Sequence, residues 1–378
     1  MAERPRVSLV SVGVGLAAAG MGAVLGVAAE RVAMGRPLLP RAGRDDGEEF
    51  VSLHSPGVTV TADDGTALHV EVDEPGRGAP AVTVVLSHGY ALTMDSWYFQ
   101  RKALRGRYRL VLWDQRGHGQ SDVGPPGSAT IEQVGRDLSA VVDAVAPDGP
   151  LVLVGHSMGG MTVMALAGQR PDLFAERVVG VAFVSTSAGG LADVDLGIAR
   201  FGRMLQRAAP GVLRVLGRTP HLVDRVRRIG SDLEEVLVRR WSFGSDVSPA
   251  LVRFTARMIA STRLDVVAEY LPTFSGHDKR AALAALDGIE VLVIVGDHDL
   301  LTPAEHSQAI VDVLPHAEHV VVRSAGHLML LEHPDVLTEQ LEQLVERALR
   351  SEAGHAPRVR RTITSLRSRR RRRGDGAA

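Results

Sequence analysis

Gly155-His156-Ser157-Met158-Gly159 follows the apolar run Leu151-Val152-Leu153-Val154 and precedes Met161 to Ala167, a stretch with few helix breakers. A serine centred in G-x-S-x-G between a strand and a helix is the pattern of a nucleophile elbow. Small residues flank the serine because the strand ends in a turn too tight for side chains, and the turn lifts the hydroxyl clear of the sheet. In a chain with 40 glycines the pentapeptide alone is a weak signal. Its strand-turn-helix setting makes it specific.

Outward from the elbow, apolar runs rich in β-branched residues alternate with helix-length segments. Val82 to Leu86, Tyr108 to Trp113, Leu151 to Val154, Val178 to Val184, Ile289 to Val295 and His319 to Val322 read as strands. Ile131 to Val145 and Pro303 to Leu314 read as helices between them. Strands this continuously apolar belong to a parallel sheet covered on both faces. Val58 to Thr61 and Ala67 to Val72 flank Asp63-Asp64-Gly65 and predict an antiparallel hairpin at the start. The expectation is a doubly wound, mostly parallel, eight-stranded α/β domain over residues 57–350. From about 188 to 286 the alternation fails, and the composition becomes helical with scattered Gly, Pro and Arg. This interval reads as an inserted helical cap. Most of its apolar residues, among them Phe201, Met204, Leu205, Leu213, Leu216, Trp241, Phe243, Phe254 and Met258, are expected to pack the cap onto the sheet domain.

A serine hydroxyl is a poor nucleophile at neutral pH, so it requires a base within hydrogen-bond reach and a carboxylate to orient that base. Both types occur downstream, each just past a strand's carboxyl end, where open α/β sheets hold their ligands. Gly296-Asp297-His298-Asp299 to Pro303 follows the strand ending at Val295, and Ser324-Ala325-Gly326-His327 follows the strand ending at Val322. His88-Gly89-Tyr90 comes after the third strand, and Asp114-Gln115-Arg116-Gly117-His118-Gly119-Gln120-Ser121 after the fourth.

With these motifs in this order, and the chain order Ser, Asp, His, the sequence from about Pro56 to Leu349 resembles the α/β-hydrolase family, in its branch of esterases and cofactor-free haloperoxidases. The resemblance implies a catalytic triad of Ser157, His327 and Asp299. Asp299 rather than Asp297 holds the family's place, three residues after Gly296 and four before Pro303. Asp297 is expected to cap its own turn. The resemblance further implies an oxyanion hole from the backbone N–H groups of Tyr90 and Met158. His88, His118 and His156 are expected to make structural hydrogen bonds. No HGGG motif is present, which departs from the branch that accepts bulky alcohol esters. The implied reaction is cleavage of small-molecule carboxylic esters through an acyl-enzyme. Two alternatives stay open: a perhydrolase or haloperoxidase on the same triad, and a catalytically silent binding protein on the same fold.

Composition removes other classes. With no cysteine in 378 residues there is no disulfide, thiolate metal site, iron-sulfur cluster or cysteine nucleophile. A metal site from Asp297, His298, Asp299 and His306 competes with the triad for the same residues, so no metal is expected. The run Gly13-Val14-Gly15-Leu16-Ala17-Ala18 matches a dinucleotide fingerprint but lacks a following strand and acidic ribose ligand. No organic cofactor is expected either.

The termini read as appendages. Residues 1–36 contain 23 uncharged residues, Val7 to Ala29, which as a helix would span about 34 Å and cross a hydrocarbon core of about 30 Å. A retained membrane anchor is expected, with export after cleavage near Val27-Ala28-Ala29 or a soluble helix as the alternatives. Arg31, Arg36, Arg41 and Arg44 outnumber Arg4 and Arg6, which favours a cytoplasmic catalytic domain. Residues 37–56 read as a linker. Residues 351–378 read as a disordered tail, with nine arginines against Asp375 after His355. Such a tail reads either as a solvated solubility segment or as an electrostatic hold on anionic lipid, while nucleic-acid binding is disfavoured.

Overall fold

The computed structural model describes residues 50, 53–191, 235–352 and 363–366. The hydrophobic segment 7–29 and the cap residues Phe201, Met204, Leu205, Leu213 and Leu216 lie outside them. Among the described residues no helix is long and apolar enough to cross a membrane.

The eight expected strands form: β1 Gly57–Thr61, β2 Ala67–Asp73, β3 Thr83–Ser87, β4 Arg109–Trp113, β5 Leu151–His156, β6 Val178–Val184, β7 Glu290–Gly296 and β8 Glu318–Val322. A ninth, β9 Ile363–Leu366, comes from within the segment read as a disordered tail. The sheet therefore has one strand more than expected, in the order β1-β2-β4-β3-β5-β6-β7-β8-β9. β9 runs parallel to β8, whose outer edge would otherwise present unpaired amides and carbonyls. That edge gives even a short β-branched stretch such as Ile363-Thr364 a pairing partner, which the arginines around it conceal in the sequence. Among the described strands, β1 with β2 and β2 with β4 pair antiparallel, and the other pairs are parallel.

Period two decides which face each strand residue covers. Leu86, Leu112, Val154, Val184 and Ile294 point to one face and pack against Leu337, Leu341 and Leu344 of the helix Pro334–Glu352. Val85, Val111, Leu153, Phe183 and Val293 point to the other, against Leu138 and Val141 of Ile131–Val145 and Val163 and Leu166 of Met158–Gln169. The central strands are buried on both faces, whereas β1 is mostly exposed. Burying one such leucine stabilises the domain by roughly 2 kcal/mol.

Buried charges tie the first hairpin to this core. Arg101 reaches Glu71 at 2.7 Å and Asp73 at 2.7 Å, and Ser55 caps Asp73 at 2.6 Å. Arg116, in the loop after β4, forks onto Asp137 at 2.6 Å and also meets Asp64 in the hairpin turn at 2.7 Å.

Of the expected cap, the described residues include a helix at 235–242, Pro249–Ser261, Leu264–Ser275 and a 3-10 turn Arg280–Leu286. Phe243 and Met258 are buried in the main core, and Phe254 packs against it, the packing role expected of them. Val266 and Tyr270 pack on Met158 and Met161, which seats the helix Leu264–Ser275 over the elbow.

Candidate active site

The turn between β5 and Met158–Gln169 holds Ser157 at φ 51° and ψ −117°, a conformation that costs a non-glycine residue about 1–3 kcal/mol. The flanking glycines are required by contact. A Cβ on Gly155 would lie 2.4 Å from the Gly159 oxygen, and one on Gly159 would lie 2.1 Å from the Ser87 oxygen. The turn is held by the Ser157 amide on the Val184 carbonyl at 3.0 Å and by the Thr186 hydroxyl on the Ser157 carbonyl at 2.7 Å.

Asp299 and His327 arrive on the loops after β7 and β8 and meet directly. The His327 Nδ1–H donates to the Asp299 carboxylate, at 3.0 Å from Oδ1 and 2.9 Å from Oδ2. This contact leaves Nε2 as the free acceptor of the ring. Asp299 Oδ1 also accepts the amides of Leu301 and Thr302, each at 2.9 Å, and Oδ2 accepts the Thr302 hydroxyl at 2.9 Å. Burial alone would raise the Asp299 carboxyl. The adjacent imidazole and these amides outweigh it and hold the group below its ordinary value.

Asp297 does something else: its carboxylate accepts the Ser324 amide at 2.6 Å, stapling one loop to the other. Of the four residues of the competing metal reading, Asp297 and His298 stand 3.9 Å apart and all four have other partners. His298 lies 3.3 Å from the Gly244 carbonyl and His306 lies 2.8 Å from the Ser187 hydroxyl.

His156 brings the His327 loop to the elbow. Its Nε2–H donates to the His327 carbonyl at 3.0 Å, and the two rings stand 4.9 Å apart. On the other side, a Cβ on Gly89 would lie 3.2 Å from the Ser157 Cβ, so the His88-Gly89-Tyr90 turn abuts the serine. Neither the Tyr90 nor the Met158 amide donates to an acceptor among the described residues. The Tyr90 hydroxyl donates to the Val267 carbonyl of the cap at 2.5 Å. The Tyr90 turn thus abuts Ser157, and His156 ties the loop carrying His327, with its partner Asp299, to the elbow at the carboxyl end of the sheet.

Three further histidines line this region in neutral form. His88 donates to the Gly89 carbonyl at 2.7 Å and accepts the Gln115 amide at 2.9 Å. His118 donates to the Arg116 carbonyl at 3.0 Å and accepts the Ala91 amide at 3.1 Å. Burial pushes His88 down to about 4, and His118 and His156 down to about 3. These are the structural hydrogen bonds expected of them.

Sequence reasoning assigned no role to Gln115, Asp114 or Glu332. Gln115 donates to the His88 carbonyl at 2.6 Å and accepts the Thr162 hydroxyl at 2.7 Å, joining the Tyr90 turn to the elbow helix. Asp114 accepts the amides of Met94 at 2.8 Å and Gln120 at 2.9 Å. Both lie in the motif after β4, so their place was visible though their partners were not. Glu332 accepts main-chain amides at Gly244 and Gly326, and no local motif marks it.

Comparison with known proteins places the chain among relatives. The family profile described as alpha/beta hydrolase fold matches residues 82–334. The non-heme chloroperoxidase of Streptomyces lividans is 27% identical over 299 residues, covering 76% of this chain and 99% of that protein. The 3-oxoadipate enol-lactonase 2 of Acinetobacter baylyi is 25% identical over 292 residues, covering 76% and 96%. Among solved structures, a thermophilic esterase from Thermogutta terrifontis superposes with a TM-score of 0.59 at 27% identity, covering 78% of this chain and 99% of that one.

Proposed function

The chain belongs to the alpha/beta hydrolase fold family, and from that premise we propose that it is a serine hydrolase cleaving carboxylic esters of small molecules through an acyl-enzyme. The observation that carries the proposal is the Asp299 to His327 contact beside a serine held in an elbow turn.

In this reading the Ser157 Oγ attacks the ester carbonyl while His327 Nε2 takes its proton, and Asp299 keeps the proton on Nδ1 in place. The tetrahedral oxyanion accepts the amides of Met158 and Tyr90. The imidazolium then protonates the departing alkoxide, which leaves as the alcohol. Water enters, gives a proton to Nε2 and attacks the acyl carbon. Collapse returns that proton to Ser157 and releases the acid. Relatives named as an esterase and a lactonase support ester-type substrates, a lactone being a cyclic ester.

The test is hydrolysis of p-nitrophenyl esters of graded acyl length by the full chain and by Ser157→Ala. Equal rates for the two would sink the proposal. A second acceptor is favoured by the chloroperoxidase relative. Hydrogen peroxide replacing water would release a peracid from the same acyl-enzyme, measurable with acetate and peroxide supplied.

Membrane attachment through residues 7–29 with a cytoplasmic catalytic domain belongs to the proposal, supported by the 23 uncharged residues and the arginines that follow. The arginine-rich tail adds an electrostatic hold on anionic lipid. Recovery of the full chain in the soluble fraction after cell lysis would count against both.

A further inference from the structure

Residues 242–245 leave the cap and cross the loop that carries His327, backbone against backbone. A Cβ on Gly326 would lie 2.6 Å from the Gly244 nitrogen and 2.7 Å from the Ser242 oxygen. A Cβ on Gly244 would lie 2.6 Å from the Ala325 carbonyl carbon and 2.8 Å from the His298 Cβ. Neither glycine has a positive φ, so the close approach itself is what requires them. The crossing is fastened from two sides. The Leu328 amide, one residue past His327, donates to the Ser242 carbonyl at 2.8 Å. The Glu332 carboxylate accepts the Gly244 amide at 2.9 Å and the Ser245 amide through Oε1, and the Gly326 amide at 2.7 Å through Oε2.

One carboxylate therefore joins the cap strap to the residue immediately before His327. Hydrogen bonds to an ionised acceptor are roughly twice as strong as neutral ones, and three amides converge here. The ring of His327 is fixed at Nδ1 by Asp299, its carbonyl by His156, and the amides on either side of it, Gly326 and Leu328, by Glu332 and Ser242. Its remaining freedom is motion of the loop as a body, which the strap opposes.

We propose that Glu332 is a positioning residue for His327, and that through it the seating of the cap strap sets the place of the base. The inference rests on the reading of His327 as the general base. The cap then has a second role, since besides covering the elbow it holds the base over the serine. A displaced strap leaves the substrate pocket able to bind while the proton acceptor stands out of register.

The experiment uses the full chain and four forms: wild type, Glu332→Gln, Gly244→Ala and the double variant. Glutamine keeps the size but offers one acceptor oxygen and turns an N–H pair toward an amide, releasing one side of the strap. The alanine wedges the strap from the loop with Glu332 intact. Steady-state kinetics on p-nitrophenyl acetate, the rate of fluorophosphonate labelling and the melting temperature are measured on each. A displacement of about 1 Å in a reacting group costs about 100-fold in rate, so kcat should fall about 10- to 100-fold in each single variant. KM should stay within about twofold. Labelling should slow by the same factor as kcat, and the double variant should be no slower than the slower single one, because both substitutions break one clamp.

An unchanged kcat in Glu332→Gln overturns the inference, as does a loss confined to KM or a product of two independent losses. Loss of folded protein in one variant leaves the other as the test, read per folded molecule by its melting transition. Wild-type chain that neither hydrolyses the ester nor labels would overturn the reading of the triad, and this inference with it. Active, labelled wild type with an equally fast Glu332→Gln overturns the inference alone.

Discussion

His156 donates from Nε2 to the main-chain oxygen of His327 across 3.0 Å, so the residue before the elbow serine holds the His327 loop from behind. This bond needs a proton on Nε2, and burial keeps the His156 ring neutral down to about pH 3. His88 and His118 are buried neutral in the same way.

Acid should therefore destabilise the fold early. Below the ordinary histidine value of 6.5 the unfolded chain takes up protons that the folded chain refuses, until the folded values of about 4 and about 3 are reached. Stability falls as pH drops through that window. The upper bound is about 2 kcal/mol per histidine between pH 6.5 and 5. Asp299, held below its ordinary value, adds to the loss only at lower pH, as the carboxylate is protonated. Urea unfolding at pH 7.5, 6.5 and 5.5 measures it, and a flat midpoint would contradict the buried-neutral assignment.

Ser157→Ala and Ser157→Gly should part company. Both should lose at least about 1000-fold in ester hydrolysis, because no hydroxyl remains to be acylated. Glycine, however, accepts φ 51° without the steric cost. Its unfolding free energy should exceed that of the alanine variant by about 1 kcal/mol after its own chain entropy is counted. Equal melting temperatures would mean that the elbow stores no backbone strain.

The two candidate acids can be told apart by one substitution each. Asp299→Asn removes the charge facing His327 Nδ1 and places an N–H pair among the Leu301 and Thr302 amides. The wrong tautomer should lower kcat about 1000- to 10,000-fold. Asp297→Ala loses the bond from the Ser324 amide and an exposed contact with His298, at a cost of about 1 kcal/mol in stability with kcat within a few-fold. The reverse ranking in kcat would exchange their roles.

Gly159→Ala should fail by contact. Its Cβ would stand 2.1 Å from the Ser87 oxygen and 2.7 Å from the His88 oxygen, both main-chain atoms that cannot swing away. Separating β3 from the elbow helix should cost about 3 kcal/mol or more and move the Tyr90 turn off the serine. A folded variant with full activity and unchanged melting temperature would refute the close-packing account.

Much of this was legible because its signals are local. Eight strands showed as continuous apolar or alternating runs, and the elbow, Asp299 and His327 each follow a strand within a few residues. What escaped reading depends on contact between distant segments. Glu332 acts on amides, and an amide donor carries no side-chain signature. Gly244 and Gly326 look like loop glycines until the two backbones are seen to cross. β9 was hidden because the arginines around Ile363–Leu366 argue for solvation, while the edge of β8 that accepts it cannot be seen from its own sequence.

The pairing of β7 with β8 sets Gly296 opposite Val322, and the two loops that carry Asp299 and His327 start from those residues. A slip of one residue along that pair would move one loop past the other by about 3.3 Å, several times the tolerance of a hydrogen bond. The sheet therefore works as a gauge block, translating strand alignment into the spacing of Asp299 and His327. Insertions within either loop can be absorbed at its tip, but a single residue added inside β7 or β8 would disconnect the pair while leaving each loop's own sequence intact.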